Sequence, residues 1–232
     1  NYNGSATFGT DNYYLNDSNA WSIMSYIGAE NDDFDFGGAT DWNTFVDASF
    51  RYMVTPQIAD IIAIQYLYGA FNGAFTGNTT YGFNGNTGVT AIDTAVNNGA
   101  LMAMTVYDSG GTDTLDFSNT SQAQVISLLA ESLSSVLGGR HNLGIARGVV
   151  IENARGGSGI DTIYGNSVAN SIYGNGGADT LIGFGGNDNL FGGLGADVHN
   201  GGDGFDYARY DDANFGNLVI SMANPALNTG AA

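Results

Sequence analysis

Hydrophobic positions along this chain follow two clear rhythms and one irregular stretch. From Gly156 an aliphatic residue recurs every ninth position, at Ile163, Ile172, Leu181 and Leu190, before giving way to His199 and Ala208. Of these aliphatics, all but Leu181, which precedes Ile182, sit between polar or aromatic neighbours, the alternation of a short strand with one side chain inward and its neighbours outward. The segment IADIIAIQYLYGA from Ile58 instead has helical spacing, at Ile58, Ile61, Ile62, Gln65 and Tyr66. Thr55-Pro56 predicts its N-cap and first-turn proline, and Gly69 its stop. Ser121 to Leu137 fits an amphipathic helix or a strand plus loop, and periodicity does not separate the two. Residues 1–54 are aromatic and polar with few periodic signals.

The ninefold rhythm is a tandem repeat. Six nonapeptides run without insertion: GGSGIDTIY, GNSVANSIY, GNGGADTLI, GFGGNDNLF, GGLGADVHN and GGDGFDYAR. Glycine opens all six and fills the fourth place in five, Val168 being the exception; the sixth place holds Asp161, Asn170, Asp179, Asp188, Asp197 and Asp206. This is the Gly-Gly-x-Gly-x-Asp-x-U-x pattern of a calcium-binding parallel β-roll. Glycines are expected to turn the backbone through positive φ and aim carbonyls inward. Two nonads should make one coil, so residues 18 apart stack at the ~4.8 Å inter-strand spacing. One edge then stacks Asp161, Asp179 and Asp197, and the other Glu152, Asn170, Asp188 and Asp206. Neighbouring carboxylates at that spacing repel by about 3 kcal/mol at an effective dielectric of ~20. Ca²⁺, with its 6–8 oxygen ligands, suits a cage of two carboxylates and several turn carbonyls. A flexible Gly/Asn/Asp-rich loop is the plain alternative, and the eighth-position aliphatics argue against it. Asn170 and Val168 break the pattern, so an ion beside that turn should bind more weakly. GGTDTLDFS (110–118) and GVVIENAR (148–155) extend the turn-then-strand pattern upstream, the latter in register with Glu152 at the sixth place.

Composition narrows the chemistry. Among 232 residues, 23 acids face 5 bases, all Arg; 20 of the acids are Asp, and the formal charge is −18. Such a chain repels nucleic acid, and without Lys it has no Walker-type phosphate loop. It has no cysteine, hence no disulfide or thiolate metal site. No apolar run approaches the ~18 residues of a membrane span. At 43% hydrophobic content the chain is not simply disordered. Asn31 to Asp41, NDDFDFGGATD, misses EF-hand spacing and reads as a solvated loop.

WSIMSYIG (21–28), then the 56–70 helix, then the roll, together resemble the serralysin family of secreted zinc metalloproteases (metzincin clan) over nearly the whole chain. By that resemblance Met24 is the Met-turn residue and Tyr26 the tyrosine that ligates zinc and supports the transition state. The resemblance also implies calcium contacts. A first site would use Phe75, Gly77 and Thr79, Phe standing where the family has Arg and giving only its carbonyl. The turn with Asp108, Gly110, Gly111 and Asp113 would face it, and Val150 and Glu152 would serve the next site. In the nonads it implies Gly157, Gly159 and Asp161; Asn175, Gly177 and Asp179; Gly186 and Asp188; Gly193, Gly195 and Asp197; and Gly202, Gly204 and Asp206.

The departures are equally specific. The family's zinc motif, His-Glu-x-x-His-x-x-Gly-x-x-His, is absent: the two histidines, His141 and His199, lie 58 residues apart and read as structural or solvated. The chain therefore reads as an internal piece of a longer protease, cut after the zinc helix and before the secretion signal. The expected fold is mainly β: a right-handed parallel β-roll (71–232) joined to the C-terminal part of a metzincin α/β lobe (1–70). The expected cofactors are several Ca²⁺, with Zn²⁺ in the full-length protein only. The expected function is the Met-turn and roll portion of a secreted, extracellular, monomeric endopeptidase acting on protein or peptide substrates and exported by a bacterial type I secretion system. The rival is a non-catalytic calcium-binding secretion or adhesion module.

Overall fold

The computed structural model describes residues 52–210 and 228–230. In chain order it has β1 (Tyr52–Met53), α1 (Ile58–Tyr68), β2 (Thr80–Gly82), α2 (Thr90–Asp93), a 3₁₀ segment (Ala95–Leu101), β3 (Met102–Val106), β4 (Thr114–Asp116), β5 (Gln124–Ser127), β6 (Leu133–Ser134), β7 (Leu143–Ile145) and β8 (Asn153–Arg155). The repeats follow as β9 (Asp161–Asn166), β10 (Ser171–Gly176), β11 (Thr180–Phe184), β12 (Asn189–Leu194), β13 (Asp197–Asn200), β14 (Tyr207–Arg209) and β15 (Asn228–Gly230). Met24 and Tyr26, and the 31–41 loop, lie outside the described residues.

Successive nonads alternate between two sheets, one ordered β14-β12-β10-β8-β4-β2 and the other β15-β13-β11-β9-β5. Every pairing in the first is parallel, and β15 alone runs antiparallel in the second, against β13. Register follows the expected 18-residue coil: Ile172 pairs with Leu190 and Leu181 with Ile163. The eighth-position side chains face each other across the roll, Ile163, Ile172, Leu181 and Leu190 all being buried. His199 continues that inward column beside Leu181, with Nδ1 3.4 Å from the Tyr210 hydroxyl. Exposed His141 donates its backbone N–H to Ser135 Oγ.

Beneath the repeats a third sheet, β1-β3-β7-β6, closes a wider apolar base. Met102, Met104, Phe117, Leu128, Leu143, Ile145 and Ile151 are fully buried there, continuous with the repeat aliphatics. Residues 121–137 resolve as strand plus loop, because β5 pairs with β9 and extends the second sheet. The helix begins later than Thr55-Pro56 suggests. Gln57 is the N-cap and donates its N–H to Asp60 Oδ2, while Thr55 Oγ1 is committed to the Thr105 backbone, accepting from its N–H and donating to its carbonyl. Gly69, at φ 82°, ends α1 as expected. Only the first turn of α1 is buried, through Ile58, Asp60 and Ile61; a side chain at Gly144 would strike Ile58, so glycine there admits the helix to the base.

Candidate metal-binding corners

Each repeat turns the chain at a corner, and the corners form two columns. In one, the backbone N–H of Gln124 donates to Asp161 Oδ1, that of Asp161 to Asp179 Oδ1, and that of Asp179 to Asp197 Oδ1, at 2.8–2.9 Å. In the other, Thr79 N–H donates to Asp113 Oδ1, Asp113 N–H to Glu152 Oε2, Asn170 N–H to Asp188 Oδ1, and Asp188 N–H to Asp206 Oδ1. One oxygen of each sixth-position carboxylate thus anchors the coil before it. The second oxygen is a different matter: Oδ2 of Asp113, Asp179 and Asp188 is buried with no hydrogen-bond partner. An orphaned buried carboxylate oxygen costs several kcal/mol unless a cation meets it.

The titration of these groups points the same way. Burial raises Asp179 to about 7 and Asp113 to about 6, with charge from Asp161 and Asp197, or from Asp108 and Glu152, adding to it. Burial likewise raises Asp161, Asp188 and Asp197. Desolvation, more than the repulsion between stacked carboxylates, is therefore the leading strain in the corners.

The glycines divide by role. In the last four nonads the second position has left-handed φ (Asn175 73°, Phe184 72°, Gly193 93°, Gly202 94°) and the fourth has φ of 109–141° (Gly177, Gly186, Gly195, Gly204). These turns sit on the carbonyl of the turn before: a Cβ on Gly195 would fall 1.6 Å from Gly177 O, and one on Gly204 1.6 Å from Gly186 O. The opening glycines do not have positive φ. They are required because a Cβ there would meet the sixth-position side chain, for example 2.0 Å from Asp188 Oδ2 at Gly183. The first two nonads differ, since Gly157, Gly159, Asn166 and Val168 all lack positive φ. Gly157 donates to Asp161 Oδ2, so both oxygens of Asp161 are engaged.

At the upstream corner, Asp108 accepts from Tyr81 OH (2.7 Å) and Gly110 N–H (2.9 Å). Burial first, and then the hydrogen bond to Asp108 and its charge, hold the Tyr81 hydroxyl far above its ordinary pKa. Gly111, at φ 139°, lies against Gly77 O, which also accepts from Thr79 Oγ1. Phe75 (φ 49°) packs edge-on to Tyr81. Val150 is 45% exposed beside buried Val149 and Ile151. The structure thus links Gly77, Thr79, Asp108, Gly110, Gly111 and Asp113 across facing turns, with Glu152 one coil further along. Two residues of the corners carry no charge to mark them in the sequence: Gln124, which holds Asp161, and Asn166, which bonds to Ile151 and Leu128 of the base. The signal for Asn166 was available: Asn at second and sixth places of one nonad.

Among the described residues no three His, Asp or Glu side chains converge as a metal group by themselves. A hard, oxygen-seeking cation does fit the corners, with one or two carboxylates supplemented by turn carbonyls.

The fold and its corners define a parallel β-roll of nonapeptide repeats with carboxylate-lined turns. The chain belongs to the Peptidase M10 serralysin C-terminal family, whose model matches residues 70–218. It is 45% identical over 150 residues to Serralysin B of Dickeya chrysanthemi, covering 65% of this chain and 28% of that one. It is 43% identical over 150 residues to the serralysin of Photorhabdus sp. (strain Az29), covering 65% and 28%. To Metallopeptidase AprA of Pseudomonas marginalis it is 44% identical over 160 residues, covering 69% and 31%. The matches thus take in less than a third of the length of these curated relatives.

Proposed function

We propose that this chain is the Met-turn and calcium-roll portion of a secreted serralysin-type zinc endopeptidase, with a division near residue 70 between protease lobe and roll. The observation that carries the calcium reading is the set of buried Oδ2 atoms of Asp113, Asp179 and Asp188 that lack any hydrogen-bond partner. Ca²⁺ would be held by Asp161, Asp179 and Asp197 on one column and by Asp188 and Asp206 on the other. Turn carbonyls of Gly157, Gly159, Asn175, Gly177, Gly186, Gly193, Gly195, Gly202 and Gly204 complete those corners, and Phe75, Gly77, Thr79, Asp108, Gly110, Gly111, Asp113, Val150 and Glu152 serve the upstream ones. The ion supplies positive charge that lets desolvated carboxylates stay ionised; the chain's own residues supply the turn geometry and the hydrogen-bonded anchor of each carboxylate.

In the whole protease, zinc would supply Lewis-acid chemistry for peptide hydrolysis; Tyr26 would ligate it and support the transition state, and Met24 would be the Met-turn residue. Names of the matched relatives, serralysin and metallopeptidase, support that assignment. Secretion through a type I system, protein substrates and a monomeric state belong to the same reading. Isothermal titration of the calcium-stripped chain tests the roll, and uptake of several Ca²⁺ with a gain in ordered β-structure by circular dichroism is expected. Unchanged spectra with no heat of binding would refute it. The purified 232-residue chain should neither retain stoichiometric zinc nor cleave casein; either result would overturn the assignment of catalysis to residues beyond it.

A further inference from the structure

The second nonad departs from the pattern at both Val168 and Asn170, and its corner is closed by amides instead of carboxylates. Asn170 Oδ1 accepts from Asn166 N–H (2.9 Å), and Asn170 Nδ2 donates to Glu152 O and to Asn166 Oδ1 (both 3.1 Å). Asn166 Oδ1 also accepts from Val168 N–H, and its Nδ2 donates to Ile151 O (2.8 Å) and Leu128 O (3.2 Å). Both side chains are at least nine-tenths buried. Ile151 leads into β8 of one sheet and Leu128 leaves β5 of the other, so the Asn166 amide fastens both sheets of the base to the first full coil. An amide carries both donors and acceptors, so this network satisfies itself without a cation. The same coil's other corner, at Asp161, has N–H groups on both carboxylate oxygens. Orphaned carboxylate oxygens lie on either side of this coil, at Asp113 in the base and at Asp179 and Asp188 beyond it.

We infer that the Asn166–Asn170 pair is a cation-independent tie that stops calcium-dependent unfolding of the roll at the junction near residue 173. This rests on the calcium reading of the corners. Residues 174–209 form the calcium-dependent tip. Residues 124–172 stay attached to the base because amides and the apolar core hold them. An ion shared between the Asp161 and Asp179 turns would be lost with the tip, leaving Asp161 on its two N–H donors.

The test is peptide-resolved hydrogen–deuterium exchange on the full 232-residue chain, calcium-loaded and calcium-stripped. On stripping, amides in 183–206 should exchange at least ~100-fold faster, while those in 161–172 stay within about threefold of the loaded rate. Asn166→Ala should remove protection of 161–172 in the stripped chain only, and Asn170→Gln, which keeps the amide on a longer arm, tests the required reach in the same way. Concerted loss of protection across 124–206 in the wild-type chain would overturn the tie, whether or not the variants fold. Identical exchange of 174–209 with and without calcium would refute the calcium reading itself and the tie with it, a pattern distinct from concerted loss.

Discussion

At the residue scale, the glycines of the nonad are not interchangeable. Gly183 opens its repeat without a left-handed backbone, yet a Cβ there would lie 2.0 Å from Asp188 Oδ2 and 2.6 Å from Gly201 O. Gly176 lies in a neighbouring strand with nothing nearer than 3.6 Å to an added Cβ. Gly183→Ala should therefore destabilise the calcium-loaded chain by about 2–3 kcal/mol, and Gly176→Ala by less than ~1 kcal/mol. Urea denaturation of both variants checks this, and equal losses would contradict the steric account. The corner aspartates predict a pH dependence for the calcium-stripped chain. Their native pKa values, about 7 for Asp179 and about 6 for Asp113, lie above the unfolded value near 3.8. The native state thus binds protons more tightly than the unfolded chain, and that stabilisation is complete below pH ~4 and lost as pH rises through ~7. Melting temperature of the stripped chain should fall from pH 4 to pH 7.5. Saturating calcium, which prefers the ionised carboxylate, should flatten or reverse that slope.

At the element scale, each of β9 to β12 contributes one inward aliphatic side chain, and the column of these residues is the apolar core that holds strands of five or six residues. Leu181 is completely buried, paired in register with Ile163 and His199, whereas the outward Ile182 is only partly covered. Leu181→Ala should cost about 2–5 kcal/mol, and Ile182→Ala about 1 kcal/mol or less, by equilibrium denaturation in calcium. Outside the column, the outer face of the first sheet stacks Arg155 on Tyr173, Tyr173 on Phe191 at 4.3 Å, and Arg209 on Phe191. These ninth-position residues lie 18 apart in sequence, so the coil period that aligns the aspartates also aligns the rings. The start of α1 shows the limit of local signals. Thr55-Pro56 has the chemistry of a helix start, but Thr105 claims the Thr55 hydroxyl and Gln57 becomes the cap.

At the scale of the whole molecule, eight of the 23 acids sit at the corners: Asp108, Asp113, Glu152, Asp161, Asp179, Asp188, Asp197 and Asp206. Two columns of corner carboxylates run along one apolar core, and sixteen of the 36 glycines lie between Gly156 and Gly204. Calcium-stripped and calcium-loaded chains should accordingly differ in size. Small-angle scattering is expected to give a larger radius of gyration for the stripped chain, and identical profiles would contradict a calcium-dependent tip. Much of this was legible beforehand because a strict ninefold period leaves little freedom: one side chain in three faces inward, two turns close a coil, and the sixth-place residues must stack. The sequence alone determined the coil, its register, the identity of the corner carboxylates and the family resemblance. It could not decide which carboxylate oxygens find donors, because that depends on backbone N–H groups 18 to 39 residues away, such as Gln124 and Thr79. Nor could it decide that opening glycines are held by side-chain contact, or that Asn166 bridges Ile151 and Leu128. Those are contacts between segments that periodicity treats as independent, and only the closed tertiary structure brings their atoms within hydrogen-bonding reach.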